Sequence, residues 1–219
     1  MTLSHTGTRS GSDEEHRNLL EQLGIARVDS MTELLETLKL FCVSGPFAGR
    51  RLGVLTCSGA DSTLMADFSA SLGVQLPALS DELQTDMREY MAEFVNLTNP
   101  LDYNTQVWGQ SELELRCFTG MMRDDHFDAV ALVHDFPAPD RSDLSSWVGV
   151  SHSLVEAHLE TGRPTVLISH FGERVPGEVR NHLCENGVTP LSGLQEGIAA
   201  IRHAGWYGER RAQILATRA

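Results

Sequence analysis

The N-terminal segment contains a histidine in a setting that suits nucleophilic chemistry. His5 lies between the hydroxyl residues Ser4 and Thr6, and Gly7 follows in a stretch rich in Gly, Ser and Thr. The stretch has no apolar periodicity, so we expect an exposed loop, with residues 1–12 poorly ordered on their own and a helix beginning directly behind them. Neutral imidazole is a good nucleophile near pH 7 because its reference pKa is about 6.5.

A strand-to-helix turn offers a second candidate site. Ser58, Gly59 and Ala60 follow an apolar segment of strand length, and backbone N–H groups at the start of a helix suit an anion such as phosphate. The alternative is a plain tight turn with Asp61 as the helix cap. Asp61 weakens the anion interpretation because its carboxylate already occupies the electropositive end of the helix. Cys57 is a weaker nucleophile candidate, since no motif ties a histidine or a carboxylate to it.

Further polar side chains fall where predicted strands end. Asn99 precedes a proline, which favours extended geometry and would hold Asp102 and Asn104 rigidly. Taken alone, however, this loop favours a structural Asx-turn. His134 and His170 end two predicted strands and are candidates for ligand contact at the functional edge of a sheet. No HExxH motif, CxxC pair or carboxylate cluster predicts a metal site.

Strand-length and helix-length patterns alternate along most of the chain. Helices over 13–23 and 31–43 come first, the second capped by Ser30 with Glu33 completing a capping box. A Ser-Gly-Pro linker then indicates a boundary, which gives an N-terminal loop and helical arm over 1–48 and a domain over 49–219. In that domain we expect strands over 51–57, 127–134, 164–169 and 188–191, a short extended piece over 73–76, and helices over 61–72, 80–94, 110–124, 146–161, 176–186 and 194–203. Strands separated by helices of about 10–15 residues predict an α/β fold with a doubly wound parallel sheet.

Composition limits the classes of function. The 219 residues carry a net charge of −13, which argues against nucleic-acid and anionic-membrane partners because both require clustered cations. No run approaches the roughly 18 apolar residues of a membrane helix and no signal sequence is evident, so we expect a cytoplasmic protein. Four cysteines without a CxxC pair favour reduced, mostly buried thiols. Lys39 is the only lysine and lies outside any phosphate-binding motif, so we expect another domain or chain to hold any nucleotide.

The histidine loop carries a resemblance to a known family. The residues from Ser4 to Asp13 resemble the phosphohistidine loop, SHTGxxxGSD, of the nucleoside-diphosphate-forming acyl-CoA synthetases, relatives of succinyl-CoA synthetase. The agreement continues in order through the turn at 56–59, the segment 76–80, the loop 99–102 and the closing segment 187–191. It spans nearly the whole chain and implies a flavodoxin-like ligase domain over 49–219, preceded by the tail of another ligase domain.

The resemblance implies an acid–thiol ligase that moves a phosphoryl group between an acyl phosphate and a nucleoside diphosphate through His5. It further implies that the chain binds no cofactor tightly and is inactive alone. CoA, ATP or ADP, and Mg²⁺ would be held by CoA-binding and ATP-grasp domains or subunits of the same synthetase, and homo-oligomerisation is left open. The family's glycine-rich turn, SGGPG, is here Ser-Gly-Ala-Asp-Ser, a departure that includes Asp61. The alternative function is a non-catalytic flavodoxin-like interaction module whose histidine loop is vestigial.

Overall fold

The apolar segments of strand length form one parallel sheet. The computed structural model describes residues 11–138 and 142–217. In chain order the elements are α1 (Asp13–Leu23), α2 (Met31–Val43), β1 (Leu52–Thr56), α3 (Gly59–Leu72), α4 (Asp81–Arg88), β2 (Leu101–Asp102), α5 (Asn104–Val107), α6 (Ser111–Arg123), β3 (Ala129–Val133), α7 (Ser145–Thr161), β4 (Thr165–Ser169), a 3₁₀ turn (Gly172–Arg174), α8 (Gly177–Glu185), β5 (Thr189–Ser192) and α9 (Leu194–Ala216).

The strand order identifies the topology. The sheet runs β2-β1-β3-β4-β5 with every pairing parallel. This is the 2-1-3-4-5 order of flavodoxin-like folds, in which ligands collect at the carboxyl ends of the strands where the chain reverses its direction of winding. The predicted α/β fold with a doubly wound parallel sheet is confirmed. Within the described residues no helix is both long and apolar enough to cross a membrane.

Alternating strand residues build a separate core on each face of the sheet. Leu55, Val130 and Leu132 point to one face, where they pack with α4, α6, α7 and α8. Val54 and Ala131 point to the other face, where they pack with α2, α3 and α9. Successive side chains of a strand alternate between the two faces, so a strand covered on both sides is apolar throughout.

Helix α2 is held against α9 by a polar contact as well as by packing in the core. Ser30 caps the helix as predicted, but the Glu33 carboxylate accepts from the backbone N–H of Asp29 rather than from Ser30. Glu33 also accepts from His203 Nε2 of α9 at 2.7 Å. Burial opposes ionisation, yet these hydrogen bonds hold the pKa of the Glu33 carboxyl below its usual value. Helix α2 packs on the same core as the sheet. The predicted division into residues 1–48 and 49–219 stays a prediction.

Several expectations about element boundaries and thiol burial are wrong. The helix expected over 80–94 ends at Arg88, and the helix expected over 194–203 continues to Ala216, because its exposed second half is rich in good helix formers such as Arg, Gln and Ala. Residues 73–76 contribute one isolated bridge rather than a strand. The thiols are less buried than expected: of the four free cysteines only Cys117 is buried, and Cys42 is exposed.

Strand β2 is an edge strand whose pairing is extended by a side chain. Asn99 Nδ2 donates to Leu52 O at 2.7 Å and Asn99 Oδ1 accepts from Val54 N at 2.9 Å. These two groups flank Gly53, which stands opposite Asn99 if the β1–β2 register is continued backwards. The amide side chain therefore makes the two bonds that a strand peptide would make, just before Pro100, which has no N–H to donate.

This arrangement predicts a large stability effect at position 99. Replacement of Asn99 by Ala leaves buried groups of β1 unpaired, and it also removes a third bond, to Pro77 O. We expect the free energy of unfolding to fall by about 2–4 kcal/mol, measured by urea denaturation. Asn96→Ala is the matched control, because Asn96 is exposed and we expect little change there. Equal stability of the two variants would show that the Asn99 hydrogen bonds to β1 do not stabilise the fold.

Candidate functional site

The histidine loop precedes the part of the chain that the structure describes. Ser4, His5, Thr6 and Gly7 lie outside the described residues, as does nearly all of the segment predicted to be poorly ordered. The expected helix behind the loop is confirmed: Ser12 caps α1 in a reciprocal capping box, donating its own N–H to Glu15 and accepting from the Glu15 N–H. The assignment of His5 therefore stays a prediction.

The predicted turn at 58–60 lies at the carboxyl end of β1 and starts α3. Ser58 is the helix cap, with extended backbone angles, and its hydroxyl accepts from the N–H of Asp61 at 3.3 Å. The alternative that Asp61 is the cap is therefore wrong, since Asp61 lies inside the first turn. Gly59 and Ala60 are the first two helical residues, and a side chain at position 59 would lie 3.5 Å from Asp102 Oδ2.

A histidine from the other half of the chain contacts this turn. His170 follows β4, and its Nε2 donates to Asp61 Oδ1 at 2.9 Å. Asp135, which follows β3, accepts from the His170 backbone N–H at 2.8 Å and from Ser169 Oγ at 2.6 Å. The second carboxylate oxygen of Asp135 lies 3.9 Å from His170 Nε2. Residues Asp61, Asp135, Ser169 and His170 thus form one cluster at the carboxyl edge, the edge cluster.

The edge cluster can handle a proton or balance a charge. An imidazole held by a carboxylate can accept a proton at its other nitrogen, and when protonated it neutralises the carboxylate. With Asp61 and Asp102 both beside the 58–60 turn, an anion there meets two carboxylates in addition to the helix terminus. His170 is the group in the edge cluster that can offset one of them. The predicted phosphate-binding role of Ser58, Gly59 and Ala60 is not tested by this geometry and stays a prediction.

The Asn99–Asn104 loop divides into two parts with different positions. The Asn99 side chain forms hydrogen bonds to the backbone of β1, away from the carboxyl edge of the sheet. Asp102 lies at that edge, opposite Thr56, and its Oδ1 accepts from the Asn104 N–H at 3.0 Å. This is the Asx-turn that the sequence offered as the alternative.

His134 and Cys57 are poor candidates for chemistry. His134 is buried, packs edge-to-face against Phe136, and donates from Nε2 to Trp147 O at 3.1 Å, which holds the ring away from the edge. Burial raises the pKa of the Cys57 thiol to about 11, with Asp102 and Glu114 adding to the shift, so the thiolate is disfavoured at neutral pH. Over residues 11–138 and 142–217, no group of three or more His, Cys, Asp or Glu side chains is arranged to hold a metal.

The sequence did not predict the edge cluster as a unit. Its members come from three elements, and 109 residues separate Asp61 from His170. The available signal was that Asp135 and His170 each follow a predicted strand, and adjacent parallel strands end at the same edge. The pairing with Asp61 requires the orientation of α3, which the pattern does not specify.

Comparisons with known proteins show what the chain is similar to. It is 24% identical over 127 residues to a trans-feruloyl-CoA synthase from an unknown prokaryotic organism, covering 58% of this chain and 18% of that protein. It is 32% identical over 99 residues to an ADP-forming acetate–CoA ligase of Archaeoglobus fulgidus, covering 45% of this chain and 14% of the ligase. The predicted resemblance to the nucleoside-diphosphate-forming acyl-CoA synthetases is confirmed. No protein-family model matches the chain.

A solved structure matches the chain over almost its full length. It is the dinucleotide-forming acetyl-coenzyme A synthetase 1 of Ca. Korarchaeum cryptofilum in complex with phosphate and ADP, with a TM-score of 0.78 and 20% identity. The match covers 98% of this chain and 45% of that chain. At this identity the likeness shows the fold, and the chain spans less than half of the synthetase it matches.

Burial of His134 predicts a pH-dependent stability. Burial lowers the pKa of His134 to about 4, against about 6.5 in the unfolded chain, so the unfolded state binds more protons between these values. The full contribution is present above pH 6.5 and is lost as the pH falls towards 4, by about 3 kcal/mol in the free energy of unfolding. His203, whose pKa burial also lowers, adds to the same trend.

The measurement is denaturant unfolding of the wild type at several pH values between 7 and 4. His134→Leu should flatten the dependence, whereas His126→Leu, at a side chain that is 52% exposed, should keep it. A His134→Leu protein with the wild-type slope would show that His134 titrates normally in the folded state.

Proposed function

We propose that this chain is the phosphohistidine-bearing part of a nucleoside-diphosphate-forming acyl-CoA synthetase. In this proposal His5 takes a phosphoryl group from an acyl phosphate and passes it to a nucleoside diphosphate, or works in the reverse direction. CoA, the nucleotide and Mg²⁺ bind to CoA-binding and ATP-grasp parts that join this chain in the working enzyme, and the chain alone does not turn over. The site of action is the cytoplasm.

One observation carries the proposal. The segment Ser4–Asp13 matches a phosphohistidine loop in a chain whose relatives are named as ADP-forming acetate–CoA ligases. A flavodoxin-like sheet supports it, because that topology presents a helix start at the carboxyl end of β1. The α3 terminus at Ser58–Ala60 would then contribute backbone N–H groups to a phosphoryl group on His5.

In the transfer step, the imidazole lone pair of His5 attacks phosphorus, the N–P bond forms and the bond to the acyl oxygen breaks, which releases a carboxylate. In the second step an oxygen of the nucleoside diphosphate attacks the phosphorus, a new P–O bond forms, and the N–P bond breaks to regenerate the imidazole. The phosphoryl group stays anionic throughout, so donors and a helix terminus favour it while carboxylates oppose it. The role of His170 in this proposal is to offset Asp61.

The acidic side chains beside the 58–60 turn also favour a second candidate function. Asp61 and Asp102 lie beside the turn where the family has a glycine-rich, uncharged loop, and this placement is unfavourable for a phosphoryl group. A flavodoxin-like interaction module with a vestigial histidine loop has no need of an anion site there. Phosphorylation of His5 distinguishes the two functions.

The first test is the label on His5. The assembled synthetase containing this chain, incubated with ATP and Mg²⁺, should gain one acid-labile, base-stable phosphate on His5. His5→Asn should lose both the label and turnover, because an amide keeps hydrogen-bonding ability but cannot act as the nucleophile. Mass spectrometry of the peptide under non-acidic conditions locates the phosphate, and loss of the label in acid excludes a phosphoserine at Ser4.

Full turnover by the unlabelled His5→Asn enzyme would end the phosphohistidine proposal and favour the interaction module. The chain alone, given acetyl-CoA, ADP and phosphate, serves as the control and should show no turnover that depends on His5.

The second test is the charge at position 61. Asp61→Asn keeps an oxygen that can accept from His170 but removes a negative charge beside the α3 terminus. We expect a longer lifetime of the His5 label, by up to about fivefold, corresponding to about 0.3–1 kcal/mol for a charge at a helix end. Asp67→Asn removes the same charge from an exposed position further along α3 and should leave the lifetime unchanged. Equal lifetimes in Asp61→Asn and Asp67→Asn would show that the turn does not face the phosphoryl group.

A further inference from the structure

Two histidines outside the edge cluster stand next to each other on neighbouring helices. His152 lies on α7 and His182 on α8, and their ring centroids are 4.7 Å apart with the planes tilted by 60°. His152 is exposed and His182 is half-buried, so the pair is open to solvent. Neither side chain takes part in the function proposed above, and no carboxylate pairs with either ring in the described part of the chain.

The separation of the rings suits a shared metal ion. With a metal–nitrogen bond of about 2.0–2.1 Å, each ring centroid lies about 3.2 Å from the metal. Two such rings are then about 4.5 Å apart at a right angle and about 5.2 Å apart at a tetrahedral angle. The observed 4.7 Å falls between these values, so the separation of the two rings is compatible with their binding one ion.

The surroundings of His182 indicate which of its nitrogens is available. Asn186 Nδ2 lies 3.4 Å from His182 Nδ1, while its main bond is to His182 O at 2.8 Å. Nε2 is therefore the nitrogen left for a metal, and binding there moves the ring proton to Nδ1 at the expense of the longer contact. The two imidazoles supply two ligands, and water completes the coordination.

We propose that His152 and His182 form a two-histidine site for a divalent transition metal of the imidazole-binding class, bridging α7 and α8. Imidazole ligands suit Cu²⁺, Ni²⁺ and Zn²⁺ rather than Mg²⁺ or Ca²⁺. The site therefore differs in chemistry from any Mg²⁺–nucleotide site. Bound metal links the two helices and stabilises the folded chain over the unfolded one.

The test uses the full chain without a histidine tag, titrated with CuCl₂ and ZnCl₂ by calorimetry. We expect tighter binding of Cu²⁺ than of Zn²⁺, and an electron paramagnetic resonance spectrum of the Cu²⁺ form that shows two coordinating nitrogens. His152→Gln and His182→Gln should each weaken this binding by at least about tenfold and reduce the Zn²⁺-dependent rise in Tm. His126→Gln, an exposed histidine away from the pair, is the matched control and should bind as the wild type does.

Circular dichroism establishes that each variant is folded before its titration is interpreted. Wild-type affinity in both variants would overturn the proposal, and so would a loss confined to one of them, because a shared ion requires both rings. The outcome does not depend on His5, so failure here leaves the phosphohistidine proposal untouched.

Discussion

The fold depends on the burial of the central strands on both faces. Every residue of β1, β3 and β4 is buried, so water can be excluded only if helices cover both sides of the sheet. Once α2, α3 and α9 cover one face and α4, α6, α7 and α8 the other, the ends of the strands are what remains open. Polar side chains that follow the strands are thereby brought to one edge. The edge cluster is a consequence of this topology.

The sequence predicts well the elements whose stability comes from their own pattern. The three central strands are continuous apolar runs, and most helices carry a Ser cap or a glycine just beyond their ends. Strand β2 has no such pattern, because it is two residues long and its pairing with β1 is continued by the Asn99 side chain. The far half of α9 was missed for the opposite reason. Its helicity comes from propensity on an exposed surface, without the buried apolar stripe that makes a helix visible.

The candidate site could be predicted in position but not in contacts. The turn at Ser58–Ala60 and the strand-end residue His170 were both expected at the carboxyl edge, and both lie there. His134 shows the limit of this reasoning, since it also ends a strand but turns inward to Trp147 O, and its ring is buried. Whether a strand-end side chain faces the edge or the core depends on the helix packed above it. That packing is a long-range property, which a pattern of neighbouring residues does not contain.

The balance of charge at the carboxyl edge matters for the proposed function. Asp61 and Asp102 lie beside a helix start whose partial positive charge is only about half a unit, so one uncompensated carboxylate outweighs the helix. A proton on His170 cancels the charge of Asp61, whereas a neutral imidazole orients that carboxylate without cancelling its charge. Two carboxylates, those of Asp61 and Asp135, contact or approach this histidine. In the proposed function the carboxylates of Asp61 and Asp102 oppose a phosphoryl group at the turn, and His170 is the side chain placed to offset Asp61. In the family's uncharged glycine-rich turn no such compensation is required.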